Sequence, residues 1–242
     1  MKKAQITPFI IMGIMILLTI GLIFYLMTMI STSEPEIQTM TEASSVKYYV
    51  QKCVSDTAME SVFMLGLHGW HLTEPPHVFT TSQLTTSYLY YDGMEYMPTI
   101  PAVEKNLSYY MNQMLPFCNL SVFRQFNIDT SEPSSAVTIK EDSVLFHVTW
   151  PLTIRYGNTA TEISEFETEA PINVLRLHNV TAEIIEQTAI NPAVIDHMFL
   201  LSRVSNISYT VFNNDTVLYF VQDPEELKDE YGFASVFAVK FR

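Results

Sequence analysis

From Pro8 to Ile30 the chain carries no charged residue, and the run PFIIMGIMILLTIGLIFYLMTMI is 23 residues long. At helical rise it covers roughly 34 Å, enough to cross a hydrocarbon core of about 30 Å. A cleavable signal peptide has an apolar stretch of only ~7–15 residues that ends in small residues. This run is longer and leaves through Tyr25, Met27 and Met29, so it reads as an uncleaved transmembrane helix. Residues 31–40 (STSEPEIQTM) then read as a polar stalk. The expected organisation is a cytoplasmic tip and anchor over 1–30, a stalk over 31–40, and one domain over 41–242.

Beyond the stalk the apolar period is helical. Thr39 followed three residues later by Glu42 fits a capping box, and Val46, Val50, Val54, Ala58, Val62 and Leu65 make one stripe to about Leu67. Gly66, Gly69, Pro75 and Pro76 break the pattern, and Tyr88–Met97 looks like a hairpin around Asp92-Gly93. Thr99 and Pro101 open a second helix through Val103, Leu107, Met111 and Met114, which Pro116 stops.

From Val137 the period becomes two. Val137–Lys140, Val144–Tyr156 and Thr161–Thr168 read as an antiparallel meander with turns at Glu141-Asp142 and Gly157-Asn158. Pro151 cannot donate to a ladder and suggests a bulge or an edge strand. Helices follow over Ile172–Gln187 and from Asn191-Pro192 to about Arg203. Strands at Ile207–Phe212, Val217–Gln222 and Phe233–Phe241 close the chain, with Asn213-Asn214-Asp215 as a hairpin turn. The expected class is α+β: an N-terminal transmembrane helix, then an ectodomain of helices packed on an antiparallel sheet.

Charge sets the orientation. Lys2 and Lys3 precede the apolar run, whereas Glu34, Glu36 and Glu42 come after it before the next basic residue, Lys47. Basic excess marks the cytoplasmic side, so the N-terminus is expected inside and the domain in an extracytoplasmic position on the cell membrane. Past the run, eleven basic residues face 26 acidic ones. Such a surface repels nucleic acid and anionic headgroups, so nucleic-acid binding is excluded. Five Asn-x-Ser/Thr sequons, at Asn106, Asn119, Asn179, Asn206 and Asn214, are candidate glycosylation sites. The two cysteines, Cys53 and Cys118, are expected to pair in an oxidising compartment.

Candidate chemistry is sparse. His68, His71 and His77 cluster in HGWHLTEPPH, the residue type from which metal sites are made, and are weak candidates for a metal. The intervening glycine and prolines make this a loop without fixed ligand spacing. Asp196-His197 and His147 could act as bases, but no nucleophile elbow, His-Glu-x-x-His or phosphate loop accompanies them. The acidic stretch from Asp223 to Glu230 lacks the spacing of a calcium loop. No cofactor and no catalytic residue is expected.

Lys3-Ala4-Gln5-Ile6-Thr7 followed at once by the apolar helix resembles the class III signal of archaeal type IV pilin-like proteins. That resemblance implies cleavage between Ala4 and Gln5. The family's Glu at the fifth position after the cut is Phe9 here, and Pro8 stands at the fourth, so the carboxylate that neutralises a neighbouring subunit's amine is missing. More broadly, Gln5-Ile6-Thr7-Pro8-Phe9-Ile10-Ile11 and a cysteine-bearing helix just past the membrane resemble a group of single-pass surface proteins of small-genome archaea. That likeness brings no activity with it.

The leading expectation is a surface or envelope protein held in lipid through residues 8–30, acting through contacts with an envelope protein or with itself. The alternatives are a pilin-like filament subunit and a metal-dependent envelope hydrolase with its site near His68 and His71.

Overall fold

The computed structural model describes residues 42–156, 159–191, 194–202, 206–213, 215–223 and 232–241. The span over 8–30, the stalk, the Ala4/Gln5 junction, the Thr39 cap and the Gly157-Asn158 turn lie outside them. So do Asn214 and residues 224–231. Among the described residues no helix is long and apolar enough to cross a membrane. The chain divides into two units, Met1–Glu42 and Ala43–Arg242. Apart from the first residue of α1, every element below belongs to the second.

Helix α1, Glu42–Leu67, presents the stripe read from the sequence. Val46, Val50, Val54, Val62 and Leu65 are fully buried and Ala58 nearly so. Fully burying a Val or Leu contributes about 1.5–3 kcal/mol, so the stripe ties α1 firmly to the core. The helix stops on a Schellman turn: the Trp70 N–H bonds the Leu65 carbonyl at 2.9 Å, and the Gly69 N–H bonds that of Gly66 at 3.4 Å. Gly69 has φ +65°, and a Cβ there would lie 2.8 Å from Thr86 Oγ1, so both backbone and space call for glycine. Trp70, itself at φ 68°, is wholly buried beneath the turn.

Strands β1 (Val78–Thr80), β2 (Thr85–Tyr91) and β3 (Met94–Glu95) follow, the last two joined by Asp92 and Gly93 at φ 49° and 82°. Positive φ at both central residues suits a two-residue hairpin. Helix α2, Ile100–Met114, has Pro101 in its first turn. It leads through short turns at Leu115–Phe117 and Leu120–Val122 to β4 (Asn127–Thr130), β5 (Ser134–Ile139), β6 (Val144–Tyr156) and β7 (Thr159–Ala170). Helices α3 (Val174–Ile190) and α4 (His197–Leu201) precede β8 (Asn206–Phe212), β9 (Thr216–Gln222) and β10 (Ala234–Lys240).

The molecule is α+β, with two sheets where the sequence suggested one. The four-stranded sheet is local: β7 pairs one edge of β6, while β5 and then β4 pair the other. The change of partner falls at Pro151, where the β6–β7 register also shifts between Thr149 and Leu152. A residue without an N–H sits where the ladder is interrupted, the bulge expected from the sequence. Val144, Phe146, Val148, Trp150, Leu152 and Ile154 all point inward and are buried. Helix α2 covers the β5 edge: Glu104 Oε1 accepts the Ile139 N–H at 2.9 Å, and Ser135 donates to Asn112 at 2.6 Å.

The six-stranded sheet, ordered β1-β2-β10-β9-β8 with β3 beside β2, draws on both ends of the domain. Its β2–β10 pair is parallel, a correction to the wholly antiparallel expectation. The last strand must enter between segments already placed, and no residue pattern of β10 announces that direction. Gly66 fixes this junction, since a Cβ there would lie 2.3 Å from the Ala234 carbonyl oxygen. Helix α3 lies against the same sheet, burying Val174, Leu177, Thr181, Ile184 and Ile185. One continuous core runs through both sheets and the three long helices.

Candidate functional site

The three clustered histidines are held on separate partners. His68 Nδ1 donates to the Met64 carbonyl at 2.8 Å, so its ring closes the end of α1. His71 Nε2 donates to the Tyr96 carbonyl at 3.1 Å. His77 stacks on Tyr91 with ring centres 4.0 Å apart, and its Nε2 meets the Tyr96 hydroxyl at 3.3 Å. The Schellman turn sends His68 and His71 along different paths, so closeness in sequence does not become a shared focus. Among the described residues, no three His, Cys, Asp or Glu side chains are placed to hold a metal ion. Burial also lowers the His71 pKa, which favours the neutral ring.

The other candidate bases have their own engagements. Asp196 caps α4, accepting the Phe199 N–H at 2.9 Å, so it does not orient His197, whose ring meets the Tyr209 hydroxyl at 3.3 Å. His147 pairs with Glu165 at 3.1 Å on an open strand surface where both side chains are more than half exposed. Asp223, first of the acidic stretch, is buried and paired with Arg176 at 3.2 Å. His178, which the sequence did not single out, donates from Nε2 to the Pro98 carbonyl at 2.8 Å and stands edge-on to Trp70. Burial holds its pKa down.

Cys53 and Cys118 form a disulfide, with Cα atoms 6.2 Å apart and a sequence separation of 65. It ties the second turn of α1's buried stripe to the end of α2. Closing a loop of that length is worth about 4 kcal/mol in the chain-entropy model. Of the described sequon asparagines, Asn119, Asn179 and Asn206 are exposed. Asn119 Oδ1 accepts both the Ser121 N–H and its hydroxyl, at 3.2 and 2.6 Å. Asn106 accepts from Thr73 at 3.1 Å, and in the Asn179 sequon Thr181 is fully buried against Ser235.

A concave surface lies elsewhere, between the end of α3, helix α4 and β9. It is a cleft of about 290 Å³ lined by Ile184, Thr188, Val194, Ile195, Phe199 and Tyr219, among others. The Tyr219 hydroxyl is pushed up to about 12, chiefly by burial, and is no base or nucleophile near neutral pH. Around the mouth, Ile190 and Val194 are 62% exposed, Met198 77% and Leu201 80%. Monomeric proteins rarely leave several large apolar side chains together in water without a use for them. The sequence signal was present in His197-Met-Phe-Leu-Leu201, apolar on both faces of a five-residue helix that can bury only one. Compared with family models, curated proteins and solved structures, the chain finds no match in any of the three.

Proposed function

We propose that the protein is a membrane-anchored, extracytoplasmic domain of the cell surface or envelope that works through protein contacts. The charge-free run over residues 8–30 carries this reading, being long enough to span a bilayer and preceded by Lys2 and Lys3. The Cys53–Cys118 disulfide supports it, because such bonds persist mainly in oxidising compartments. The apolar ridge of Ile190, Met198 and Leu201 is the contact surface in this account, for an envelope protein or a second copy of the chain.

Crosslinking of the intact protein in its own membranes tests the proposal. The native chain yields a crosslinked species that Met198→Glu combined with Leu201→Glu loses. A native chain that crosslinks to nothing, itself included, overturns the reading.

A further inference from the structure

We infer that one end of the domain, around Tyr48 on α1 and the Leu120–Val122 turn, rests on an anionic lipid surface. The inference rests on the anchored reading above and names what the end of the domain nearest the anchor in sequence touches.

Four aromatic rings run in file across that end. Tyr49 meets Phe123 edge-on at 5.3 Å, Phe123 lies 6.3 Å from Phe126, and Phe126 meets Tyr156 at 5.6 Å. Beside this file Tyr48 is 64% exposed and Val122 54%, and Tyr156 at its end is 51% exposed. Lys47 and Arg124, next to these residues in sequence, are exposed too. Aromatic side chains with a polar tip and basic residues are the groups that settle at the boundary between headgroup and hydrocarbon.

The charge distribution is compatible with the same place. In a chain with 26 acids, the stretches 43–55 and 105–128 contain none. These two stretches supply Tyr48, Tyr49, Val122, Phe123 and Phe126. Acids flank that end: Glu42 begins α1 and Gln51, three residues on from Tyr48, donates to the Glu167 carbonyl at 2.8 Å, while Asp129 is paired with Arg155 and Glu162 lies opposite Thr153 on the β6–β7 ladder. With Lys47 and Arg124 exposed and no acid in either stretch, this end can approach anionic headgroups. Connectivity agrees: Ile30 and Glu42 are twelve residues apart, and that length of chain reaches at most about 40 Å.

The test uses the full-length chain in vesicles of phosphatidylcholine and phosphatidylglycerol whose acyl chains are brominated near the glycerol, which quenches tryptophan on contact. The native tryptophans, Trp70 and Trp150, are buried and give a constant background. The reporters are Val122→Trp, Tyr48→Trp and, on the distant ridge, Met198→Trp. The proposal expects most of the Val122→Trp and Tyr48→Trp emission to be lost. It expects little loss for Met198→Trp, and a weaker effect in pure phosphatidylcholine or with Lys47→Glu and Arg124→Glu added. A chain that floats with the vesicles while Val122→Trp and Tyr48→Trp stay bright overturns the proposal and leaves the anchor standing. Equal quenching at all three positions also overturns it, as does a blue shift that follows protein density instead of bromine, which marks a second copy as the occupant. A chain that fails to float removes the anchored reading itself.

Discussion

The two sheets are built by opposite means. The sheet of β4 to β7 is made from consecutive segments, and its longest pairing, β6 with β7, turns back on itself at once. The sheet of β1, β2, β3, β8, β9 and β10 joins segments from the two ends of the domain, with Thr86 donating to the Val236 carbonyl across 150 residues of sequence. Local pairing has little loop entropy to overcome and is guided by alternation alone. The composite sheet must wait for α1 to end in the right place, which is what Gly66 and Gly69 secure. Stability of the first is therefore spread along its ladder, whereas that of the second concentrates at one crowded junction.

Gly66→Val is the sharpest way to break this contrast. The new side chain meets the Ala234 carbonyl oxygen and the Phe233 ring, and the loss is expected at roughly 3 kcal/mol or more. Hydrogen exchange should show β2 and β10 amides losing protection before those of β6 and β7. The reverse order would deny the junction its role. Removing the disulfide with Cys53→Ser and Cys118→Ser is expected to cost about 2–4 kcal/mol in urea denaturation, an effect on the α1–α2 tie in place of the Gly66 junction.

Acidification should act on the composite side. Burial lowers the pKa of His178 and of His71 in the folded chain, so the unfolded chain takes up protons first. The stability they guard is complete above 6.5 and is lost as pH falls from there through the folded values. A urea midpoint that drops between neutral pH and mild acid, and drops less in His178→Phe, is the expected result. A midpoint indifferent to pH across that window would contradict it. The smallest effect is expected at the local sheet's edge, where Glu104→Ala uncaps the Ile139 N–H at a cost of about 1 kcal/mol by thermal unfolding.

The same contrast explains what could be read from the sequence. The inward alternation of Val144 to Trp150, the interruption at Pro151, the Asp92-Gly93 turn and the α1 stripe were all legible, because each is settled by neighbours in the chain. The parallel pairing of β2 with β10 was not, since strand direction depends on what is already in place when β10 arrives. The short strands β1 and β4, of three and four residues, carry too little alternation to stand out. The disulfide was readable from cysteine count and position. In the histidine loop, spacing in sequence says nothing of the turn that separates His68 from His71. The α4 ridge and the acid-free aromatic end were missed for the opposite reason. The aromatic end is gathered from distant segments, and the α4 ridge, though contiguous in sequence, becomes visible only once burial shows which apolar residues were left outside.

The proposed reading puts the domain beyond the membrane, and protease digestion of sealed cells bearing the full-length chain tests that most directly. The account predicts that added proteinase removes the domain while the cells are intact and cytoplasmic markers survive. A domain protected until the cells are lysed would contradict it.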